Sequence, residues 1–344
     1  MPSAVRGVLR EGAAERAEHA PYRERERETL HVLASDPQGA PKLARAPTPT
    51  SLWSDSFYGT IGLLMFAGTR ATLLALTAFL VLAPVAQARD VWRTPAPGVR
   101  VLSRTDHYRD GRVYQLYAAF VDLCGDGARF RVTAPDEKRI SVPEWGERIH
   151  GLAAVNGDFF DVRPLRSVGP LCGNGQWWTP ARVLQYDCML VGGPDRPVSV
   201  ERGALERVQG DHSITEVMSS QEQVVHLGAV QLREEIRRGG RRPRTGVGLT
   251  RDGHTLVLVV IDGGEDAPSA GASSRELAQH MIALGVAEGV RLDGGGSTTL
   301  WVKGMGLVNR PSEVLRRVAN HVGVALVAGA GVPAWCHSEG AAPP

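Results

Sequence analysis

The chain has 344 residues, of which 43% are hydrophobic and 22% charged, and its formal net charge is +2. This is the composition of a globular protein with enough apolar residues to build a sizeable core. The nearly neutral charge balance gives no reason to expect a nucleic-acid partner.

The first 64 residues differ in character from the rest. Arginine and glutamate alternate over residues 23–28, and residues 36–49 are rich in proline, alanine and threonine. Such a sequence buries too little apolar surface to offset the entropy lost on ordering. Residues 1–64 are therefore predicted to be a disordered extension or an over-long gene prediction, with a solvated helix over residues 11–30 as the alternative.

Residues 65–88 are predicted to be a signal peptide whose natural start is Met65. Arg70 precedes an apolar run over residues 71–85, and Ala86-Gln87-Ala88 fits a small-x-small cleavage site. The alternative is an uncleaved membrane anchor over residues 61–88, which Arg70 interrupts. We expect an exported protein, periplasmic, cell-surface or extracellular, whose residues 89–344 form one domain with its core at 100–327.

Turn signals dominate the mature chain. An Asp-Gly pair at 110–111 separates two extended runs, and a second pair at 252–253 separates two more. The four runs are Val101–Tyr108, Val113–Leu123, Gly246–Thr250 and Thr255–Ile261. The pattern predicts an α+β fold, a single globular domain of mixed, largely antiparallel sheets with a few packed helices.

Two helices are predicted. The clearer one covers Arg275–Leu284, where Ser273 and Glu276 form a capping box and Gly285 ends the helix. A shorter helix is predicted at Pro143–Ile149.

The four cysteines agree with export, because disulfides persist in oxidising compartments. Their spacing lacks the paired pattern of a zinc site. We expect one or two disulfides and prefer Cys172–Cys188, which flank one glycine- and tryptophan-rich excursion. Four buried thiols, including Cys124 and Cys336, are the alternative.

Two buried-looking strands each lead an aspartate into a glycine loop. Thr255–Ile261 precedes Asp262-Gly263-Gly264, and Val290–Leu292 precedes Asp293 and three glycines. Two such strands can place two carboxylates at one edge of a sheet. A pair of carboxyl groups is what enzymes use to hydrolyse glycosidic bonds. The glycines expose backbone N–H groups that can bind an anion. A flexible turn with a self-capped aspartate is the alternative.

Four further segments complete a recognisable set. They are Ala153–Asp161, Arg242–Gly248, Asn309–Ser312 and Arg317–Asn320, with Leu292–Ser297 between the second and the third. In this order the motifs resemble the phosphodiester glycosidase family, and the resemblance covers about residues 100–327. It implies an exported, bacterial-type hydrolase that cleaves the glycosidic bond of sugar-1-phosphodiesters and releases sugar and a phosphate monoester. A glycosyl-phosphate transferase of exopolysaccharide assembly and a non-catalytic glycan-binding module are the alternatives.

The resemblance and the residue chemistry together predict a site. Asp293 is the first choice for the catalytic carboxylate and Asp262 the second. Asn156 is predicted to hold a sugar hydroxyl or phosphate oxygen, with a hairpin turn as the alternative, and Arg244 to grip phosphate in a bidentate manner. The remaining predicted substrate-binding residues are Gly294, Gly295, Gly296, Ser297, Thr298, Asn309 and Arg310. Arg317 and Asn320 match the final motif.

The chain departs from the family pattern at two positions. Asp158 stands where the resemblance implies a second glycine, and Gly264 where it implies an arginine. Asp158, Asp161, Asp262 and Asp293 could furnish oxygen ligands for a hard cation, but EF-hand spacing is absent. We therefore predict no metal and no cofactor, a glycan phosphodiester as the partner, and membrane contact only through the signal or an uncleaved anchor.

Overall fold

The computed structural model describes residues 89–163, 165–178, 186–203, 205–233, 239–264, 267–312 and 314–337. The predicted extension over residues 1–64 and the predicted signal peptide or anchor lie outside the described residues. None of the helices in these ranges combines the length and the apolar character that a membrane crossing requires.

Strands account for most of the regular structure in the described residues. In chain order they are β1 (Arg89–Ala96), β2 (Val99–His107), β3 (Val113–Asp122), β4 (Ala128–Val132), β5 (Gly151–Asn156), β6 (Phe160–Asp161), β7 (Arg166–Ser167), β8 (Leu171–Gly173), β9 (Gln176–Trp177), β10 (Cys188–Gly193), β11 (Arg196–Glu201), β12 (Glu216–Ser220), β13 (Glu222–His226), β14 (Ala229–Val230), β15 (Arg244–Thr250), β16 (Thr255–Ile261), β17 (Val286–Arg291), β18 (Leu300–Val302), β19 (Gly306–Leu307) and β20 (His321–Leu326). The helices are α1 (Val142–Arg148), α2 (Leu205–Gly210) and α3 (Ser274–Ala283), with short 3-10 turns at Gly295–Ser297 and Ala334–His337.

The described strands form one large sheet, two five-stranded sheets and a two-stranded ribbon. The large sheet has the order β1-β2-β3-β16-β15-β17-β13-β14. The five-stranded sheets have the orders β11-β10-β12-β8-β9 and β19-β18-β5-β20-β4, and the ribbon pairs β6 with β7. All these strand pairs are antiparallel, so the prediction of largely antiparallel sheets with few helices is confirmed.

Both predicted hairpins and both predicted helices are present. β2 pairs with β3 across the first Asp-Gly turn, and β15 pairs with β16 across the second. The capping box of α3 is complete, because the Glu276 amide donates to Ser273 Oγ at 3.2 Å and the Ser273 amide donates to Glu276 Oε2 at 2.9 Å. Helix α1 has the same box and starts one residue before the predicted range.

The large sheet buries two different faces. Its inner face, defined by Val247 of β15, Val260 of β16 and Val290 of β17, packs in one apolar cluster with residues of the two five-stranded sheets. Its helix face, defined by Val259 and Ile261 of β16, packs on α3. Side chains alternate between the faces along each strand, so position parity decides which surroundings a residue of the large sheet meets.

The disulfide joins Cys124 to Cys336, 212 residues apart. Cys172 and Cys188 are free and buried, so the preferred Cys172–Cys188 pair is wrong. Cys188 lies in β10 and Cys172 in β8, and β12 runs between these strands in the sheet. The two thiols are therefore held apart by an intervening strand, whereas Cys336 follows the last strand and returns to the turn after β3.

We expect Cys124→Ser to lower the free energy of unfolding by about 2–5 kcal/mol, because the bridge closes a long loop of the unfolded chain. Urea unfolding at neutral pH measures the change. A reducing agent should destabilise the wild-type protein by a similar amount and leave the variant unaffected. Equal stability of the two proteins under oxidising conditions would contradict the bridge.

Candidate active site

Asp262 and Asp293 lie at the same edge of the large sheet. Strands β16 and β17 both pair antiparallel with β15, so they run in the same direction on either side of it. Asp262 directly follows β16, and Asp293 comes two residues after β17 ends. The predicted common rim of two carboxylates therefore corresponds to the observed topology.

The Asp262 carboxylate is buried and fixed by a loop that follows β19. Oδ1 accepts a hydrogen bond from Asn309 Nδ2 at 2.8 Å, and Oδ2 accepts one from the Arg310 backbone N–H at 3.0 Å. Burial raises the pKa of Asp262, and these two hydrogen bonds oppose the rise. Arg310 thus meets Asp262 through its backbone, while its side chain is exposed.

The Asp293 carboxylate begins the glycine loop and is only partly buried. Oδ1 accepts from the Gly294 N–H at 2.9 Å, and Oδ2 accepts from Ser297 Oγ at 2.6 Å. Burial raises the pKa of Asp293, against the effects of these hydrogen bonds and of the Arg316 and Arg291 charges.

The glycine loop folds into a 3-10 turn at Gly295–Ser297. Gly295 has φ +59°, a conformation that glycine adopts at little cost, and its N–H donates to the Pro243 carbonyl oxygen at 3.0 Å. Gly296 is buried, and Thr298 is buried with no hydrogen-bond partner for its Oγ1 among the described residues. The loop is thus held against the start of β15.

Asn309 joins the two carboxylate loops. Its Nδ2 donates both to Asp262 Oδ1 and to the Thr298 carbonyl oxygen, at 2.8 and 3.1 Å. Its Oδ1 accepts from the Leu300 N–H at 2.7 Å. The amide is fully engaged, so Asn309 fixes the separation of the two loops.

Asn156 is a buried connector at the end of β5. Its Nδ2 donates to the Asp293 carbonyl oxygen at 2.8 Å, and its Oδ1 accepts from Thr245 Oγ1 at 2.8 Å and the Thr299 N–H at 3.2 Å. This single amide connects β5, β15 and the glycine loop. The neighbouring Gly157 is required by packing, because a Cβ there would come within 2.1 Å of Asn320 Oδ1.

Arg244 starts β15 at the same edge, but it points to the other face. Gly246, two positions along, faces Met281 and Leu277 of α3, so Arg244 shares the helix face. Its Nε donates to the Ala272 carbonyl oxygen and its Nη2 to the Gly240 carbonyl oxygen, at 2.9 and 3.1 Å. Asp262 continues the parity of Val260 on the inner face, so Arg244 and Asp262 follow opposite faces of the sheet. Asp293 continues the parity of Gly289, which faces Met281, and so follows the same face as Arg244.

The arginine beside the glycine loop is Arg316, which the sequence analysis missed. Its Nη2 donates to Ser297 Oγ at 2.6 Å, and its guanidinium lies 6.0 Å from the Phe160 ring centre. The neighbouring Arg317, which the final motif singled out, is exposed, and its charge acts on Glu144 of α1. Arg316 shares the parity of Val318, a buried residue bridged to Ile140, and this long-range pairing is not visible in the local sequence.

A second set of residues, which the sequence did not predict to be part of the site, surrounds the segment after β5. Phe159 covers the Arg291 guanidinium at 5.1 Å, and Arg291 Nε forms a buried ion pair with Glu222 Oε2 at 2.9 Å. Asp158, between Gly157 and Phe159, is buried and accepts a hydrogen bond from Ser219 Oγ at 2.6 Å. Asn320 is buried, and its backbone oxygen accepts from the Gly157 N–H at 2.9 Å.

A cleft of about 500 Å³ lies beside Asp262 on the inner face of the outer strands. Its walls include Val91, Ser103 and Tyr117 of the large sheet and Met305 and Val308 of the chain around β19. Burial and then the Asp262 charge raise the pKa of Tyr117, and Val308 directly precedes Asn309. The cleft therefore adjoins the Asp262 side of the site. The described residues hold no group of three or more His, Cys, Asp or Glu side chains placed to bind a metal ion.

Two carboxylates at one sheet edge, one buried and one partly exposed, lie with a glycine loop and an arginine, and these are residue types that glycosidases use. The chain belongs to the phosphodiester glycosidase family, whose sequence profile matches residues 150–325. That range contains Asn156, Asp262, Asp293, Asn309 and Arg316.

Solved structures share the fold. The zebrafish N-acetylglucosamine-1-phosphodiester alpha-N-acetylglucosaminidase catalytic domain, auto-inhibited by its pro-peptide, is similar at a TM-score of 0.57 and 16% identity, over 70% of this chain and 87% of that one. A hypothetical protein from Synechocystis is similar at a TM-score of 0.54 and 14% identity, over 70% of this chain and 64% of that one. No curated protein sequence matches the chain significantly.

We expect Asn156→Ala to lower the free energy of unfolding by about 2–4 kcal/mol, because the Thr299 N–H and the Asp293 carbonyl oxygen lose a buried partner. Asn156→Asp should destabilise as well, since an oxygen would then face the Asp293 carbonyl oxygen. Chemical denaturation measures both changes. Wild-type stability with a raised KM alone would instead mean that the amide serves the substrate.

Proposed function

We propose that the protein is an exported hydrolase that cleaves the glycosidic bond of sugar-1-phosphodiesters and releases the sugar and a phosphate monoester. The observation that carries the proposal is the pair Asp262 and Asp293 on one sheet edge, within the stretch that matches the phosphodiester glycosidase family. The disulfide Cys124–Cys336 supports an oxidising compartment and so agrees with export.

The chemistry of the leaving group fits this site. Cleavage at the anomeric carbon releases a phosphate monoester, which is already a weak base. Protonation of the leaving group is therefore less urgent than in ordinary glycosides, and anion-binding groups replace part of the general acid. Arg316 and Ser297 are the side chains near Asp293 that can serve the phosphate, because the Gly294 and Gly295 N–H groups already donate to Asp293 Oδ1 and the Pro243 carbonyl oxygen.

Asp293 is the better candidate for the carboxylate that acts at the anomeric carbon as a nucleophile, as a base for water or as a stabiliser of positive charge. The residue is partly exposed and its oxygens accept only from its own glycine loop, whereas Asp262 is 3% exposed and its oxygens hold the separate loop of Asn309 and Arg310. Asp262 then fixes the second loop and adds negative charge, with the neighbouring cleft as room for the group beyond the phosphate.

Arg316 replaces Arg244 as the proposed phosphate ligand. Arg316 contacts the glycine loop directly, whereas Arg244 holds backbone carbonyl oxygens on the helix face. Gly294, Gly295 and Gly296 contribute backbone, and Thr298 contributes a buried hydroxyl next to the loop. Asn156 and Asn309 are proposed to position these groups rather than to bind substrate.

Asp293→Asn should lower turnover by at least about a hundredfold, because it removes the charge needed at the anomeric carbon with little change of shape. Release of free sugar from a panel of sugar-1-phosphodiesters with different sugars measures the loss. Asp161→Asn, an exposed carboxylate on β6, is the matched control and should stay near wild type. Near-wild-type turnover by folded Asp293→Asn would transfer the role to Asp262.

The adjacent arginines provide a second matched pair. Arg316→Gln should raise KM for phosphodiesters by about tenfold or more, since a charge-assisted contact at the glycine loop is lost. Arg317→Gln should leave KM and kcat within about twofold, because its side chain is exposed. Equal effects of the two substitutions would remove Arg316 from phosphate recognition.

A further inference from the structure

Asp158 is a buried carboxyl group whose hydrogen bonding is incomplete. The residue is 1% exposed, and its Oδ2 accepts from Ser219 Oγ at 2.6 Å. Its Oδ1 has no hydrogen-bond partner among the described residues. A carboxylate buried in this way is costly unless it keeps a proton.

Asp158 lies next to Asp293 through the backbone. The Asp293 N–H donates to the Gly157 carbonyl oxygen at 3.1 Å, so the glycine loop crosses the chain immediately before Asp158. The charged groups that act on Asp158 are Asp293 and Arg291, and the charge of Asp158 in turn acts on the Cys188 thiol of β10. Arg291 already forms the ion pair with Glu222, so its charge is shared.

This carboxyl group lowers stability at neutral pH. Burial raises the pKa of Asp158 to about 7, above its value in the unfolded chain. The folded state therefore keeps a proton that the unfolded state loses near pH 4, and stability falls as the pH rises from about 4 to about 7. An asparagine of the same shape would avoid that cost. A destabilising acid beside a candidate catalytic carboxylate points to a functional role.

We propose that Asp158 stays protonated beside Asp293, and that its ionisation ends hydrolysis at alkaline pH. The proposal rests on the function proposed for Asp293. With Asp158 protonated, Asp293 is the only one of these two acids that carries a negative charge, and the site accepts an anionic phosphodiester. Ionised Asp158 adds a second negative charge, which repels the substrate and perturbs the titration of Asp293.

The test is the pH dependence of kcat/KM between pH 5 and pH 9 for wild type and Asp158→Asn. For the wild type we expect a fall above about pH 7, approaching tenfold per pH unit as for a single ionisation. Asp158→Asn should keep its pH 6 activity within about threefold and lose the alkaline fall. The same fall in the variant, or loss of its activity at every pH, would overturn the proposal.

Glu216 provides a matched control. Burial raises the pKa of Glu216 to about 7 as well, but its oxygens accept from the Val132 and Asn174 N–H groups at 2.7 and 3.0 Å, away from the glycine loop. Glu216→Gln should leave the pH profile of kcat/KM unchanged. A flattened alkaline limb in this variant would mean that the fall reports general stability and not Asp158.

Ser219→Ala tests the same group without touching the carboxyl. The Ser219 hydrogen bond favours the charged form of Asp158, so its removal should move the alkaline fall to higher pH. A fall at unchanged or lower pH would contradict the proposal.

A stability measurement tests the protonation of Asp158 independently of the proposed function. The difference in Tm between Asp158→Asn and wild type should grow in favour of the variant from pH 5 to pH 8. If the wild type releases sugar from no phosphodiester, the proposed function fails, yet this difference still reports the Asp158 proton. A Tm difference independent of pH would overturn the protonation of Asp158 even in an active enzyme.

Discussion

The site depends on the pairing of one strand with two others. Because β15 is antiparallel to both β16 and β17, these two strands end at one edge and deliver Asp262 and Asp293 there. These three strands belong to a sheet of eight described strands, whose two faces are buried by different partners. A rigid central strand with a core on both sides fixes the carboxylate positions better than any loop could.

Buried amides set the geometry between the elements that carry the carboxylates. Asn156 connects β5, β15 and the glycine loop, and Asn309 connects the loops of Asp262 and Asp293. The side-chain amide of each residue donates to and accepts from protein groups. In a low-dielectric interior such saturated networks are rigid, and removing one member leaves several polar groups unpartnered. The family motifs thus contain two kinds of residue. Some hold the site together, and others are proposed to contact the substrate.

Local signals explain what could be predicted from the sequence. The hairpins, the capping boxes and the two strands that lead into an aspartate each depend on contiguous residues. The sequence therefore predicted both carboxylates and their position at a common edge of the sheet. The Cys124–Cys336 bridge joins residues 212 apart and depends on chain paths that no local pattern encodes. The alternation of Gly246 and Val247 along β15 indicates the face of Arg244, whereas the position of Arg316 beside the glycine loop depends on the bridge between Val318 and Ile140.

Two buried acids show how structural and functional carboxyl groups differ. Burial raises the pKa of Glu216 and Asp158 to about 7 in both cases. Glu216 receives two backbone N–H groups and lies 3.6 Å from Arg131 Nε, so its environment is built to hold a charge between a strand and a turn. The Ser219 hydroxyl and the Phe159 backbone N–H both favour the charged form of Asp158, but its Oδ1 has no close partner among the described residues, and it shares Arg291 with Asp293. A group that serves the fold is satisfied by the fold, so the incomplete bonding of Asp158 is better explained by its neighbour Asp293 than by packing.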